Sequence, residues 1–206
     1  WDEGIDVGGE TGPYRQTERV DIYKKEVERL IQEGKAYYCY LSPEELEKER
    51  QEQLAAGKTP VHKGTCRHLT PEQIDIYKQM GRKPVVRLMV PTDKVYAFDD
   101  MVRGHVEFQS AGVGDFIIMK SDGIPVYNFA VVVDDALMKV THVIRAEEHL
   151  SNTPRQLAIY EALGYDIPTF GHISLILGSD HKKMSKRHGA TSVQTYRDKG
   201  YLPDAM

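Results

Sequence analysis

Residues 140–177 read VTHVIRAEEHLSNTPRQLAIYEALGYDIPTFGHISLIL, and this stretch decides the fold. Residues 140–145 are a strand candidate, the pattern of 151–163 predicts an amphipathic helix, and 170–177 predicts a second strand. Gly164 is placed to end the helix. Strand–helix–strand alternation favours a parallel α/β sheet, whose ligands bind at the carboxyl ends of the strands.

The second of these strands leads directly into a loop, residues 178–189, that reads GSDHKKMSKRHG. A segment of six residues in this loop carries four fixed positive charges. A glycine at each end of the loop permits an irregular backbone. Lysine carries a point charge on a flexible stem, which suits it to following phosphate oxygens whose charge moves during a reaction. The alternative interpretation is an ordinary solvated basic loop on the surface.

The composition limits the class of protein. With 206 residues, of which 40% are hydrophobic and 28% charged, the chain can bury a sizeable core in one or two domains. No apolar run of the sequence approaches the ~20 residues that a membrane span needs, and no basic-then-apolar leader opens it. Two cysteines are too few for a disulfide framework, which favours a reducing, cytoplasmic setting.

The charge and the ends of the chain add two expectations. A net charge of −4 does not indicate a nucleic-acid binder. Any contact with RNA would therefore come from local basic patches. Since the chain opens on Trp1 rather than methionine and stops where a helix could begin, we expect it to be a piece of a longer polypeptide.

Three helices are predicted before residue 121. Residues 17–33 have apolar side chains at three- and four-residue spacing, and Gly34 is placed to end that helix. The other two open at 42–45 (SPEE) and 70–73 (TPEQ). In both, a capping residue, a proline at the first helical position and a glutamate or glutamine three residues on agree. The helix that starts at 42 is charged along its length, which predicts a solvated arm.

Several strands are predicted as well. Between residues 84 and 120 the apolar period changes to two, which indicates an antiparallel patch. The predicted strands cover 36–40, 85–90, 95–98, 102–108 and 116–120. Residues 127–133 read YNFAVVV and are apolar almost throughout, so periodicity leaves both a buried strand and a buried helix open.

With these elements placed, the chain resembles the bacterial glutamyl-tRNA synthetases, a family of class I aminoacyl-tRNA synthetases. Residues 183–187 (KMSKR) match the K-M-S-K loop of that class, and the other motifs fall in the order and spacing of the family. Those motifs are WDEG at 1–4, GPYRQ at 12–16, YNF at 127–129, VDD at 133–135, HVIRAEEH at 142–149 and NTPRQ at 152–156. The resemblance covers essentially all 206 residues.

The resemblance implies a partial class I nucleotide-binding fold, a Rossmann-like α/β parallel sheet, with an inserted α+β connective domain. Residues 1–36 would be the loop and helix of the first half of the catalytic domain, and 121–190 its second half. Residues 37–120 would be the insertion that binds the acceptor end of tRNA, and 191–206 would begin a helical region. The H-I-G-H motif of the family is absent and should precede Trp1, so we expect the isolated chain to be inactive.

The resemblance also implies the reaction and its partners. The enzyme would activate L-glutamate with ATP and Mg²⁺ to glutamyl-adenylate and transfer the glutamyl group to the 3′ end of tRNA(Glu). It would be a cytoplasmic monomer without a membrane partner. Two alternatives remain: the shortened paralogue that glutamylates a tRNA base, against which the long insertion argues, and a tRNA-binding fragment without catalysis.

For the nucleotide, the resemblance implies catalytic roles for Lys183 and Lys186, which would hold the ATP phosphates. The residues that it assigns to ATP binding are Glu148, Ile176, Lys183, Met184, Ser185, Lys186 and Arg187. Glu148 has an alternative role as an acid in the first turn of a helix.

For the amino acid, the resemblance assigns Tyr127, Asn128, Val131 and Arg145 to glutamate binding. A guanidinium offers a planar fork that holds a carboxylate at two points. The alternative for Arg145 is a salt bridge to Asp134 or Asp135. The alternative for Tyr127 is simple core packing, and Val131 joins the pocket only if the segment is helical.

Some members of the family hold zinc in the insertion with a C-x-C pair and a later C-x-H pair. Here the first pair is reduced to Cys39, whereas residues 66–68 read CRH. The candidate ligands are therefore Cys39, His62, Cys66 and His68, although structural zinc usually has four well-defined ligands. The alternative is that both cysteines are small buried hydrophobes.

Candidate tRNA-phosphate contacts are Arg67, Arg82, Lys83 and Arg103, each of which could equally be an ordinary surface residue.

Overall fold

A computed structural model describes residues 2–178, 180, 181, 183 and 192–205 of the chain. Its helices are α1 (Val20–Gln32), α2 (Pro43–Ala55), α3 (Pro71–Gln79), α4 (Tyr127–Leu137), α5 (Thr153–Leu163) and α6 (Val193–Asp198). Its strands are β1 (Ala36–Cys39), β2 (Val85–Leu88), β3 (Val95–Asp100), β4 (Gly104–Gln109), β5 (Phe116–Met119), β6 (His142–Ala146) and β7 (Thr169–Ile173). None of the helices described is long and apolar enough to cross a membrane.

The predicted β–α–β unit is confirmed. Strands β6 and β7 pair in parallel, in a register from His142–Thr169 to Ala146–Ile173, and α5 connects them. Gly164 ends α5 in the left-handed conformation, at φ 67°, which glycine adopts without steric cost. Strand β7 is shorter than predicted because the backbone leaves the sheet after Ile173.

The ambiguous segment 127–133 is helical and forms the start of α4. Phe129, Ala130, Val132 and Val133 are all buried in the main core, so this helix is apolar nearly all round. It contacts α1, α5 and β5. Neighbouring helices, rather than a solvated face, therefore explain the lack of a clear apolar period.

The antiparallel patch is confirmed, and it forms two separate sheets. Strands β1, β2 and β5 make a three-stranded sheet in the order β1-β2-β5.

Helices α2 and α3 both begin with the predicted capping box, and α2 buries no residue, as expected of a solvated arm.

Strands β3 and β4 form a hairpin that packs against β7. The Phe98 and Phe170 rings meet edge to face, with centroids 5.6 Å apart, and the amide of Met101 donates to the carbonyl of Phe170. Residues 101–103 form the turn of the hairpin, and Asp100 accepts hydrogen bonds from two amides of this turn. Strand β4 therefore begins later than predicted. Residues of the 37–120 segment thus share a core with β7, while the domain boundaries stay a prediction.

A buried charged cluster joins α1 to α4. Arg19 is 1% exposed; its Nε donates to Asp134 Oδ1 at 2.6 Å and its Nη1 to the Pro13 carbonyl at 2.7 Å. The Tyr23 hydroxyl donates to the same carboxylate at 2.8 Å. These bonds fix the loop before α1 against the helix that carries the candidate glutamate-binding residues.

Candidate active site

A cleft of about 390 Å³ opens at the carboxyl ends of β6 and β7. Its lining includes Arg145 from β6, Ile173 from β7, and Ile176 and Lys183 from the segment that follows. Three residues predicted to bind substrate, namely Arg145, Ile176 and Lys183, therefore line one cavity. This is the edge of a parallel sheet at which ligands are expected.

Arg145 is half-buried and held by neutral partners. Its Nε donates to His172 Nε2 at 3.1 Å and its Nη2 to Thr153 Oγ1 at 3.0 Å. The guanidinium lies 5.3 Å from the centroid of the Phe170 ring. Burial lowers the pKa of Arg145, whereas the Tyr127 phenol and the Asp135 carboxylate act in the opposite direction. An arginine stays charged in such surroundings, so the cleft contains a fixed cation.

The alternative of a salt bridge from Arg145 does not describe this structure. Asp134 pairs with Arg19 instead, and among the described residues no ion pair joins Arg145 to Asp135. The positive charge of Arg145 is therefore not neutralised by a carboxylate in direct contact. A guanidinium in this condition can bind a carboxylate from a ligand.

The three predicted residues of α4 lie in different surroundings. Tyr127 is 52% exposed, so it is not a core residue, and its ring centroid lies 6.0 Å from that of His149. Asn128 accepts a hydrogen bond from Gln156 at 3.0 Å, which links α4 to α5. Val131 is partly buried against the core. Tyr127 is the member of this group that is open to a ligand.

Glu148 and Lys183 form an ion pair at the cleft. Lys183 Nζ donates to both carboxylate oxygens of Glu148 at 2.7 Å, and this hydrogen bonding lowers the pKa of Glu148. Glu148 lies in the 3-10 turn Glu147–Asn152 after β6, and its side chain is exposed. The predicted residues Met184, Ser185, Lys186 and Arg187 lie outside the described part of the chain.

Comparison with known proteins identifies the domain. The family model described as "tRNA synthetases class I (E and Q), catalytic domain" matches residues 2–206. The chain belongs to this family. The synthetase domain is 64% identical over 206 residues to the glutamate–tRNA ligase of Carboxydothermus hydrogenoformans, covering all of the chain and 43% of that protein. It is 61% identical to glutamate–tRNA ligase 1 of Caldicellulosiruptor saccharolyticus, of which it covers 42%.

A solved structure agrees with the sequence comparison. The crystal structure of a glutamate tRNA ligase from Elizabethkingia meningosepticum, in complex with its amino acid, superposes with a TM-score of 0.81 at 35% identity. The match covers 98% of the synthetase domain and 45% of that chain. The domain thus spans less than half the length of the relatives that it matches.

The four predicted zinc ligands do not form a metal site in the part of the synthetase domain that the structure describes. Cys39 Sγ lies 3.8 Å from His62 Nε2, and both Cys39 and Cys66 are buried, but His68 is exposed. Within the described residues, no three His, Cys, Asp or Glu side chains are arranged to hold a metal ion. The residues present do not fit a structural zinc ion, and the alternative that the two cysteines are small buried residues describes the structure better.

The two thiols of the synthetase domain nevertheless interact. The interaction with Cys66 is the main cause that lowers the pKa of Cys39; burial opposes this, and His62 supports it. The same interaction, with burial, raises the pKa of Cys66.

Three of the four candidate tRNA-contact residues form salt bridges within the synthetase domain. Arg67 is paired with buried Asp115, Arg82 with Glu45, and Arg103 with Glu147. Lys83 is exposed. Salt bridges to the protein explain the first three arginines, which leaves Lys83 as the candidate for a phosphate contact.

Asp135, which the sequence analysis named as a possible salt-bridge partner of Arg145, interacts electrostatically with Arg145 without forming an ion pair among the described residues. Burial and, to a smaller extent, the neighbouring Asp134 raise the pKa of Asp135 from 3.8 to about 6, while Arg145 opposes the shift. The folded state therefore binds this proton more tightly than the unfolded state. Folding stability falls as the pH rises from 3.8 to about 6, and the loss is complete above that range.

Replacing Asp135 with asparagine should therefore stabilise the synthetase domain above pH 6. We expect a gain of about 1 to 2 kcal/mol at pH 8 after allowance for residual solvent screening, and little gain at pH 4. Urea denaturation at both pH values measures it. Asp75→Asn, which changes an exposed carboxylate on α3, is the control for the substitution itself. An Asp135→Asn variant that is no more stable than wild type at pH 8 would contradict the role given to burial.

Proposed function

We propose that the chain is part of a glutamate–tRNA ligase, which activates glutamate with ATP and transfers it to the 3′ end of tRNA(Glu). The observation that carries the proposal is that Arg145 and Lys183 line one cleft of a class I synthetase domain. One is a forked cation suited to a carboxylate, and the other is a point charge suited to phosphate. The names of the relatives support glutamate as the amino acid.

In the first step, a carboxylate oxygen of glutamate would attack the α-phosphorus of ATP, and pyrophosphate would leave. Arg145 would bind a carboxylate of glutamate, and the exposed Tyr127 phenol would donate a hydrogen bond to the amino acid. In the second step, a terminal ribose hydroxyl of tRNA would attack the activated carbonyl, and AMP would leave. The contribution of the protein is positioning and charge stabilisation.

Lys183 would exchange partners during this reaction. In the structure both of its short contacts go to Glu148, and a triphosphate tail would compete for the same ammonium group. Lys186 would act beside it, as the resemblance to the K-M-S-K loop implies. ATP is used with Mg²⁺ in this class of enzyme, and the ATP phosphates and water would supply most of the ligands of the ion. We assign no residue of the chain to the ion.

The remaining proposals concern the whole protein. We propose that residues 37–120 bind the acceptor end of tRNA and that 1–36 and 121–190 belong to the catalytic fold. We also propose a cytoplasmic, monomeric enzyme, as expected of a ligase that serves translation. The long insertion, with α2, α3 and two sheets, favours the ligase over the shortened paralogue.

The test is an ATP–pyrophosphate exchange assay on the full-length protein, with and without tRNA(Glu). Glutamate, glutamine and aspartate are compared, and only glutamate should support exchange. Lys183→Ala should lower kcat/KM for ATP by about 10- to 100-fold, because one phosphate cation is lost. Lys24→Ala removes a half-exposed lysine of α1 and should have no effect. Exchange with glutamine alone, or none with glutamate when tRNA is present, would refute the proposal.

A further inference from the structure

A buried aspartate–histidine pair lies directly behind Arg145. His172 is in β7 and Asp100 ends β3, and both side chains are 0% exposed. His172 Nδ1 lies 2.5 Å from Asp100 Oδ2. The other carboxylate oxygen, Oδ1, accepts from the amides of Val102, Arg103 and His172. Both oxygens of the Asp100 carboxylate thus accept hydrogen bonds, and its position is set by the hairpin turn as well as by β7.

These contacts determine which nitrogen of His172 carries the proton. Burial alone would raise the pKa of Asp100, but hydrogen bonds from His172 and from the three amides outweigh it and lower the pKa to about 2. An ionised carboxylate only accepts hydrogen bonds. His172 Nδ1 must therefore be the donor to Asp100.

The opposite nitrogen of His172 faces Arg145. Arg145 Nε has a single hydrogen, and it donates to His172 Nε2 at 3.1 Å. Nε2 must then present a lone pair, since a second hydrogen at this point would meet the donor head-on. The Thr153 hydroxyl, 3.2 Å from Nε2, accepts from Arg145 Nη2. Asp100 thus fixes the Nδ1–H tautomer of His172, and the facing Arg145 cation disfavours a second proton on Nε2. His172 and Thr153 together hold one edge of the guanidinium.

We propose that Asp100 and His172 are positioning residues, which orient the Arg145 guanidinium so that its free edge faces the carboxylate of the amino acid in the cleft. This inference rests on the proposed function, because it needs Arg145 to bind glutamate. Neither residue reaches the ligand. They act by fixing the plane of a fork whose binding of a carboxylate depends on geometry.

The geometry gives a reason beyond stability for burying this pair. A buried carboxylate is costly unless fully hydrogen-bonded, and a His–Asp pair could satisfy itself without Arg145. Here the remaining ring nitrogen of His172, Nε2, accepts a hydrogen bond from Arg145, whose side chain lines the cleft. The sequence offered no signal for this link, since residues 100 and 172 are distant in the chain and come from different predicted segments.

The test is Asp100→Asn in the full-length protein. The amide oxygen can still accept from the three backbone amides, but its NH₂ group would donate to His172 Nδ1 and force the proton onto Nε2. Nε2 and Arg145 Nε would then be two donors facing each other. The KM for glutamate should rise about 10- to 100-fold, with the KM for ATP within about twofold of wild type, because a misplaced fork affects one substrate.

The matched control is Asp99→Asn. Asp99 is the neighbouring carboxylate, 88% exposed, and it contacts Nδ1 of the exposed His105 at 2.8 Å, so it offers the same chemical change away from the cleft. This variant should keep both KM values. A wild-type KM for glutamate in Asp100→Asn, or equal rises in both KM values, would overturn the proposal.

Two further measurements guard against misfolding of Asp100→Asn. Nitrogen-15 NMR of histidine-labelled wild type should show His172 neutral with its proton on Nδ1; an Nε2–H tautomer or an imidazolium would overturn the proposal without any variant. His172→Asn keeps a donor to Asp100 and deletes the acceptor for Arg145, so it should also raise the KM for glutamate. If Arg145→Gln raises this KM but His172→Asn and Asp100→Asn do not, the positioning role fails and the proposed function stands. If Arg145→Gln has no effect, the glutamate site itself is wrong.

Discussion

Replacing Arg145 with glutamine should raise the KM for glutamate by about 100- to 1000-fold in the full-length protein, through the loss of two charge-assisted hydrogen bonds. The KM for ATP should stay near the wild-type value. Glutamate-dependent ATP–pyrophosphate exchange, with each substrate varied in turn, measures both constants. The reason lies in the surroundings of Arg145: its structural contacts go to neutral acceptors, which leaves its charge for a ligand.

Arg145→Lys separates charge from shape. It keeps the cation but loses the planar fork, so the KM for glutamate should lie between those of wild type and Arg145→Gln. Arg50→Gln, which alters a half-exposed arginine of α2, should leave both constants unchanged. A KM for glutamate within about threefold of wild type in Arg145→Gln would exclude a carboxylate-binding role for this arginine.

Replacing Arg19 with alanine should lower the free energy of unfolding by about 3 to 5 kcal/mol, the cost of breaking a buried ion pair from one side. Arg19 is 1% exposed, and its loss leaves the Asp134 carboxylate, 23% exposed, with Tyr23 as its remaining partner. The Pro13 carbonyl also loses its donor. Urea denaturation at pH 7 measures the change.

The double variant Arg19→Met/Asp134→Asn should be more stable than Arg19→Ala, because no uncompensated charge stays buried. Arg50→Ala breaks an exposed i,i+3 pair with Glu47 and should cost less than about 1 kcal/mol. A loss below about 1 kcal/mol for Arg19→Ala would show that water or a neighbouring donor replaces the guanidinium, against the description of this cluster as buried.

The sequence predicted the elements whose determinants are local. Both capping boxes formed at the predicted residues, because each needs only four consecutive side chains. The β6–α5–β7 unit followed from two strand candidates on either side of a helical pattern that ends at a glycine. Helix α4 could not be decided in this way, since its apolar period is hidden by burial against α1, α5 and β5. The departure of the backbone from the sheet after Ile173 also had no local signal.

In the candidate site, too, the residues that belong to a sequence motif were predicted and those that depend on tertiary packing were not. The family motifs led to Arg145, Ile176 and Lys183, which the fold brings to one cleft. Their roles in binding stay predictions. Asp100 and His172 were missed because their link to Arg145 depends on a hairpin that docks on β7. The zinc hypothesis shows the opposite case, since a short C-x-H motif placed His68 near Cys66 in sequence while the fold leaves one exposed and the other buried.

A crystal structure of the full-length protein with glutamate and a non-hydrolysable ATP analogue tests the arrangement of the cleft most directly. The proposed function predicts a carboxylate of glutamate within about 3 Å of the Arg145 guanidinium, with His172 still bound to Arg145 Nε. It also predicts that Lys183 Nζ has left Glu148 for the triphosphate tail. Glutamate bound away from Arg145, with the Lys183–Glu148 pair intact, would contradict it.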